Sequence, residues 1–310
     1  MPHRPALSTV LAGAGALVVG LVVVVAVAQR LGGDPDPRGA GLPSAAPQLE
    51  RVFAPDGALP ADAPGLVSQL TDVTRRLRGE IEAWVTTGRQ VGERPPAAVE
   101  LLALRQQRLY LRLGAAGELG EDVVDRLPDD VRGEARNLLG ARRALREIPE
   151  TEPEPGEQAP AIVVGVPLPP GQLRRIYAAA EERSGVQWEV LAAVNLVESS
   201  FGRLRNKSTA GAQGPMQFIP STWRQYGMGG DIEDPRDAIL GAANYLAASG
   251  APGDPRRALF AYNNSDAYVL GVLRHARAIE RDPRHFYAVY SWAAYAERDG
   301  ETKRLTGPGR

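Results

Sequence analysis

The amino-acid sequence predicts an all-α protein, or predominantly so. Three observations carry that prediction. Apolar residues recur at three- and four-residue steps, as Leu66, Leu70, Val73, Leu77, Ile81 and Trp84 do, a spacing that lines up side chains on one helix face. Asp-Pro pairs stand at Asp234-Pro235, Asp254-Pro255 and Asp282-Pro283, and each reads as an N-cap followed by proline in the first helical turn. No alternating run of strand length appears.

Taken in order, the 310 residues have room for about two domains. Residues 1–30 read as a signal anchor or signal peptide. Residues 9–28 carry no charge, and about 20 apolar residues span a bilayer as a helix. A signal peptide usually has a shorter apolar core, so the reading favours an uncleaved anchor. Cleavage after Ala26-Val27-Ala28 is the alternative. In both cases residue 31 onward lies outside the cytoplasm, in a single-pass membrane protein or a secreted one. Residues 31–65 are rich in Pro, Gly, Ala and Asp and read as a linker.

Residues 66–148 read as a helical module. Its first helix carries the stripe from Leu66 to Trp84, a second runs near Ala98–Leu113, and a third near Asp129–Glu147. Gly114, Gly117 and Gly120 punctuate between them. The module carries no chemical constellation and is expected to be a helical hairpin or a docking segment for a cell-envelope protein. Residues 149–169 form an acidic, Pro-rich spacer in which proline interrupts any helix. Residues 170–298 form a second α domain, with helices near Gly171–Arg183 and Trp188–Ser199, from Asp234-Pro235 to Gly250, from Asp254-Pro255 to about Asn263, from Ser265 or Asp266, and from Asp282-Pro283. Only Phe53, Trp84 and Tyr110 among the aromatic residues precede Tyr177, so this domain holds the densest core and any sugar-stacking face. Residues 299–310 read as a polar tail.

Composition excludes several classes. Net charge is −1, without the basic excess of a nucleic-acid binder. Cysteine is absent, which removes disulfides, thiolate metal sites and a cysteine nucleophile. His3, His275 and His285 show no ligand spacing, so no metal and no cofactor are expected.

The chemistry points to one carboxyl group. Glu198 closes the apolar run Val190-Leu191-Ala192-Ala193-Val194-Asn195-Leu196-Val197 and precedes Ser199-Ser200-Phe201-Gly202. Desolvation and the negative end of the helix dipole both raise its pKa. A carboxylic acid that is protonated near neutral pH is what a general acid requires.

Three further segments follow in order: Ser208 to Trp223, containing Gly211-Ala212-Gln213-Gly214-Pro215-Met216-Gln217-Phe218; Asp234-Pro235 with Ala242, Ala243, Asn244 and Tyr245; and Ala261-Tyr262-Asn263-Asn264. With Glu198-Ser199-Ser200-Phe201-Gly202 they resemble the catalytic domain of lytic transglycosylases of the soluble-lytic-transglycosylase (SLT) type, relatives of goose-type lysozyme. The resemblance covers roughly Leu173 to Tyr295. It implies a lysozyme-like fold and cleavage of the MurNAc-β-1,4-GlcNAc bond of peptidoglycan glycan strands, leaving 1,6-anhydromuramoyl ends. It makes Glu198 the acid on the glycosidic oxygen and then the base on the muramoyl 6-hydroxyl.

By the same resemblance Ser208, Met216, Gln217, Tyr262 and Asn263 bind substrate. Ser208 and Gln217 are expected to hydrogen-bond the glycan, and Met216 to line the subsite beside Glu198. Tyr262 is expected to donate to Glu198 or the sugar, and Asn263 to contact the acetamido group or hold the helix end. Pro215 stands where many relatives have Leu, and Asn264 where many have Ala. Relatives of the membrane-bound transglycosylase B type can carry a calcium loop before the Asp-Pro helix. Gly227-Met228-Gly229-Gly230-Asp231-Ile232-Glu233 lacks the alternating oxygen ligands of such a loop. Asp231, Glu233, Asp234, Asp237, Asp254 and Asp266 are candidates for a second carboxylate, with Asp234, Asp254 and Asp266 better explained as caps. Two alternatives stay open: a muramidase that hydrolyses the same bond, and a non-catalytic glycan-binding scaffold.

Overall fold

The computed structural model describes residues 57–148, 163–298 and 301–305. The expected membrane segment 9–28 lies outside them. Among the described residues no helix is long and apolar enough to cross a membrane.

Helix α1 (Ala63–Thr86) starts at Asp62, whose side chain accepts from Gly65 N. Its stripe from Leu66 to Trp84 is buried throughout, as the spacing predicted, and the helix stops before Gly88 in left-handed conformation. Helix α2 (Ala97–Ala115) follows Pro95-Pro96 and gives way at Gly117, also at positive φ. Helix α3 (Glu118–Arg126) was not foreseen. The spacing of Gly114, Gly117 and Gly120 read as punctuation, but Gly120 is taken into the helix. A Cβ there would lie 2.3 Å from the Leu113 carbonyl oxygen, so a glycine lets α3 fold back against α2. Helix α4 (Asp129–Arg146) completes this half and carries Asp129 and Asp130 in its first turn, where the dipole favours negative charge.

The C-terminal half contains α5 (Pro170–Ser184), α6 (Trp188–Ser199), α7 (Pro220–Tyr226), α8 (Pro235–Ala248), α9 (Pro255–Tyr262), α10 (Asp266–Arg281) and α11 (Arg284–Tyr290). Asp234, Asp254 and Ser265 each accept a backbone N–H as N-caps. Ser265, rather than Asp266, therefore caps α10. Helix α7 was not foreseen; its seven residues are too few to show a period. Helix α6 lies at the centre, with every residue buried except Glu189 and Leu196.

Two features depart from the sequence reading. Tyr295–Arg298 (β1) and Glu301–Arg304 (β2) pair as an antiparallel hairpin, Tyr295 opposite Arg304, where a polar tail was expected from 299. Four residues per strand are too few for alternation to stand out. Residues 163–166, at the end of the expected spacer, run against 203–206: Arg205 N donates to Val163 O at 3.0 Å and Gly165 N to Arg203 O at 2.7 Å.

The two halves share one hydrophobic core. Helix α4 lies along α10, α10 lies against α6, and α1 packs on α11. Polar contacts lock this junction. Gln107 Nε2 donates to Ala293 O at 2.8 Å, and Gln107 Oε1 accepts from Ala293 N at 2.9 Å. Glu134, whose side chain is 9% exposed, pairs with Arg78 at 2.6 Å and stands 3.5 Å from His285 Nδ1. Burial pushes the Glu134 carboxyl up, but His285 and Arg78 together outweigh it and hold it at about 2.

Two tests follow from this junction. A fragment beginning at residue 163 loses α1–α4 and bares the faces of α10 and α11. It is expected to lose a cooperative thermal transition and to bind a hydrophobic dye. Glu134→Ala takes the carboxylate from His285 and one of several partners from Arg78, which keeps Asp282 at 3.2 Å and the Asp130 carbonyl, and is expected to cost about 1–3 kcal/mol. Because the folded pKa is depressed, this contribution is present above the ordinary value of 4.5 and is lost as pH falls toward about 2. Chemical denaturation of both proteins at neutral pH and near pH 3 checks it; equal stability of the two at neutral pH contradicts the assignment.

Candidate active site

Helix α6 delivers Glu198 in its last turn and then stops abruptly. Ser200, Phe201 and Gly202 adopt successive φ values of 51°, 66° and 81°. Left-handed backbone costs a non-glycine residue about 1–2 kcal/mol, so surrounding contacts must hold it. Phe201 is buried, its ring 5.5 Å from Phe286 and 5.7 Å from Tyr290. Ser199 Oγ accepts from Gly202 N at 2.8 Å and donates to Pro215 O at 2.6 Å. The helix stop thus begins at Ser200.

The loop from Ser208 to Ile219 closes on the same helix end. Gln213 and Phe218 exchange two backbone hydrogen bonds of 2.9 Å and enclose a tight turn through Gly214, Pro215, Met216 and Gln217. Gly214 has φ 73°, and a Cβ there would lie 1.9 Å from Ile232 O, so both conformation and space demand glycine. Pro215 O also accepts from Asn195 Nδ2 at 2.8 Å, while Asn195 Oδ1 accepts from Tyr177 OH at 2.6 Å. Met216 O accepts from Tyr262 OH at 2.6 Å. The turn is therefore fastened to α6 on one side and α9 on the other.

Glu198 itself is buried. Tyr268 OH donates to its Oε1 at 2.6 Å. Its Oε2 has no hydrogen-bond partner among the described residues. Burial pushes the carboxyl up to about 8, against the opposing hydrogen bond from Tyr268. This group holds its proton at neutral pH, as its place in the apolar run predicted. The Tyr262 and Tyr268 rings stack with an interplanar angle of 7°, and both hydroxyls are pushed well above their ordinary value by burial first and by Glu198 second. Both remain donors.

The structure corrects one expected contact. Tyr262 does not donate to Glu198; its hydroxyl is committed to the Met216 carbonyl, and Tyr268 donates instead. The motif around Asn263 ended before Tyr268, so sequence reasoning missed it. The available signal was the Ser265 cap, which accepts from Tyr268 N and sets this tyrosine in the first turn of α10. Asn195 and Ser199 were missed too, although two polar residues four apart on a buried apolar helix call for partners.

Of the other expected residues, Met216 is fully buried and sits in the core. Ser208 Oγ accepts from Ala212 N at 3.0 Å. Gln217, at φ 47°, donates to Gly214 O at 3.0 Å and Asn206 O at 3.3 Å, while its Oε1 is buried without a donor among the described residues. Asn263 is buried at the C-cap of α9. Five of the six candidate second carboxylates serve elsewhere, and Glu233 is exposed. Asp234 and Asp254 cap helices, Asp266 pairs with Arg256 at 2.8 Å, Asp231 accepts from Glu233 N, and Asp237 accepts from Asp231 N. Among the described residues no group of three or more His, Cys, Asp or Glu could hold a metal ion.

Comparison with known proteins now bears on this geometry. Residues 175–283 match the family model described as Transglycosylase SLT domain. This part of the chain is similar to the SLT transglycosylase domain. The SLT domain so matched contains Glu198, Tyr262 and Tyr268. A membrane-bound lytic murein transglycosylase F of Thiobacillus denitrificans (strain ATCC 25259 / T1) is 32% identical over 139 residues, which cover 42% of this chain and 29% of that protein. The chain thus spans under a third of the length of the curated relative it matches. No solved structure gives a significant match.

The raised pKa of Glu198 makes a stability prediction. A carboxyl favoured in its neutral form supports the fold fully below the ordinary value of 4.5, and that support is lost as pH rises toward about 8. Glu198→Gln keeps an acceptor for Tyr268 without the ionisation. Its melting temperature is expected to exceed that of the wild type at pH 7–8 and to converge with it near pH 4.

Proposed function

We propose that the protein is a peptidoglycan lytic transglycosylase that cleaves the MurNAc-β-1,4-GlcNAc bond and leaves 1,6-anhydromuramoyl ends. The observation that carries this reading is the Glu198 carboxyl: buried, protonated near neutral pH, anchored through Oε1 by Tyr268 and unpartnered at Oε2. The family match of residues 175–283 and the name of the relative support it.

The chemistry uses this one group twice. Glu198 gives its proton to the glycosidic oxygen as the bond to the muramoyl anomeric carbon breaks. The substrate's acetamido oxygen stabilises the positive charge at that carbon, a mode known for substrate-assisted glycosidases. The Glu198 carboxylate then removes the proton of the muramoyl 6-hydroxyl while that oxygen bonds to the anomeric carbon. No water is consumed, and Glu198 returns to its acid form. Five of the six acidic candidates hold other partners, which favours the substrate's own groups over a second carboxylate.

Ser208, Met216, Gln217, Tyr262 and Asn263 form the groove wall in this reading, some of them through backbone rather than side chain. Residues 9–28 hold the enzyme at the membrane, with the catalytic part outside the cytoplasm. A muramidase is the alternative on the same bond, and a non-catalytic scaffold is the alternative of another class.

Digestion of purified sacculi separates these. Anhydromuropeptides, each lighter by one water than the reducing product, are the expected result; reducing ends would identify a muramidase. Glu198→Gln is expected to lower turnover by roughly 10²–10⁴-fold with binding retained, and a variant that still cut at the normal rate would exclude Glu198 as the acid. Turnover should fall as pH rises through about 8, where the acid form is lost. Tyr268→Phe removes a bond that lowers this pKa, so the basic limb should move to higher pH. Turnover is expected to drop by about tenfold or more, since a hydrogen bond to a charged group contributes about 1.5–3 kcal/mol.

A further inference from the structure

A cavity lies at the other end of α6 from Glu198. Trp188 opens that helix and Glu198 stands ten residues on, about 15 Å away at 1.5 Å per residue. The cavity has a volume of about 710 Å³ and is walled by both halves of the protein. Helices α1 and α4 supply one side; α5, α10 and α11 supply the other.

Its unused hydrogen-bonding groups are donors. Arg174 lies over the Trp188 ring, 3.8 Å from its centroid. Arg281 ends α10 and reaches across to α4, where Gly133 gives it room; a Cβ at Gly133 would stand 3.4 Å from its Nη1. Neither guanidinium takes part in an ion pair among the described residues. Asn137, nine-tenths buried in the same wall, has its Nδ2 without an acceptor among the described residues. The acids of the cavity are already engaged. Asp130 bonds Arg75 at 2.8 Å, Glu134 bonds Arg78, Asp282 bonds Arg284 at 2.8 Å, Asp129 pairs with Arg132, and Glu82 stands 3.9 Å from Arg284.

Free guanidiniums and an orphan amide call for carboxylates. The five acidic side chains of the same wall offset most of its arginines, which leaves too little net positive charge for a dense polyanion such as nucleic acid or polyphosphate. Tyr287 and Trp188 add apolar ring surface. A ligand that satisfies all three is small, carries separated carboxylates and has apolar stretches between them.

We propose that this cavity binds a short acidic peptide through Arg174, Arg281 and Asn137, and that its natural ligand is the peptide stem attached to the glycan. The identity of the stem rests on the proposed function; the acidic-peptide site itself does not. A stem held about 15 Å from Glu198 would restrict which glycan bonds reach the acid.

The test has two arms. Calorimetry of the full chain with a synthetic stem tripeptide, Ala-Glu-diaminopimelate, is expected to show binding. Arg281→Ala should weaken it about tenfold or more, and Arg281→Lys should restore part of it. Inorganic phosphate should compete poorly. Cleavage is then compared on intact sacculi and on glycan strands stripped of peptide. Arg281→Ala should raise KM on sacculi and leave turnover of stripped strands unchanged. Arg281 is exposed, and an unchanged melting temperature shows that folding is not the cause. Absence of tripeptide binding, binding unaffected by Arg281→Ala, or equal occupancy by phosphate overturns the site. If neither substrate is cut by the wild type while the tripeptide binds in an Arg281-dependent way, the proposed function fails and the peptide site stands.

Discussion

The Glu198 carboxyl is buried at the end of an apolar helix, and its one hydrogen bond comes from an equally buried tyrosine. A charge there would be costly. The group therefore stays neutral unless something in the site changes, and most of the C-terminal half serves to keep it so. Helix α6 must be mostly apolar and buried to exclude water. Its left-handed stop must be held by Phe201 in an aromatic cluster and by Ser199 bonded to the neighbouring turn. Tyr268 must be fixed by the Ser265 cap, and Tyr262 must be drawn aside to the Met216 carbonyl. Each contact is ordinary, and together they define one position and one protonation state.

The N-terminal helices belong to the same system. Tyr268 is carried by α10, and α10 is clamped between α6 and α4. The Gln107–Ala293 pair and the Arg78–Glu134–His285 group tie the two halves through bonds that would be costly to leave half made. The helices at 63–146 thus back the helix whose Tyr268 meets the Glu198 carboxyl. Docking an envelope partner, the role expected for this stretch, has to use faces that the shared core leaves exposed.

Much of the fold was legible in the chain. The stripe from Leu66 to Trp84, the Asp234 and Asp254 caps and the apolar run before Glu198 are local patterns, set by helix period and by backbone groups needing partners within three residues. The illegible parts were short or long-range. Helix α3 formed because Gly120 allowed close approach to Leu113, and the 295–304 hairpin formed from strands too short to show alternation. Asn195, Ser199 and Tyr268 act on partners distant in sequence, and no local pattern names such partners.

By itself, the sequence determined that Glu198 would stand at the end of a buried helix, followed by segments that resemble those of the SLT domain. Helix period and desolvation are short-range causes, so residue order was sufficient. Tertiary structure alone decided which hydroxyl meets the carboxyl, which loop carbonyls are tied to α6 and α9, and that the N-terminal helices share the core. A bond between residues 198 and 268 depends on how α6 and α10 pack, and that packing is settled only when the whole chain buries its apolar faces together.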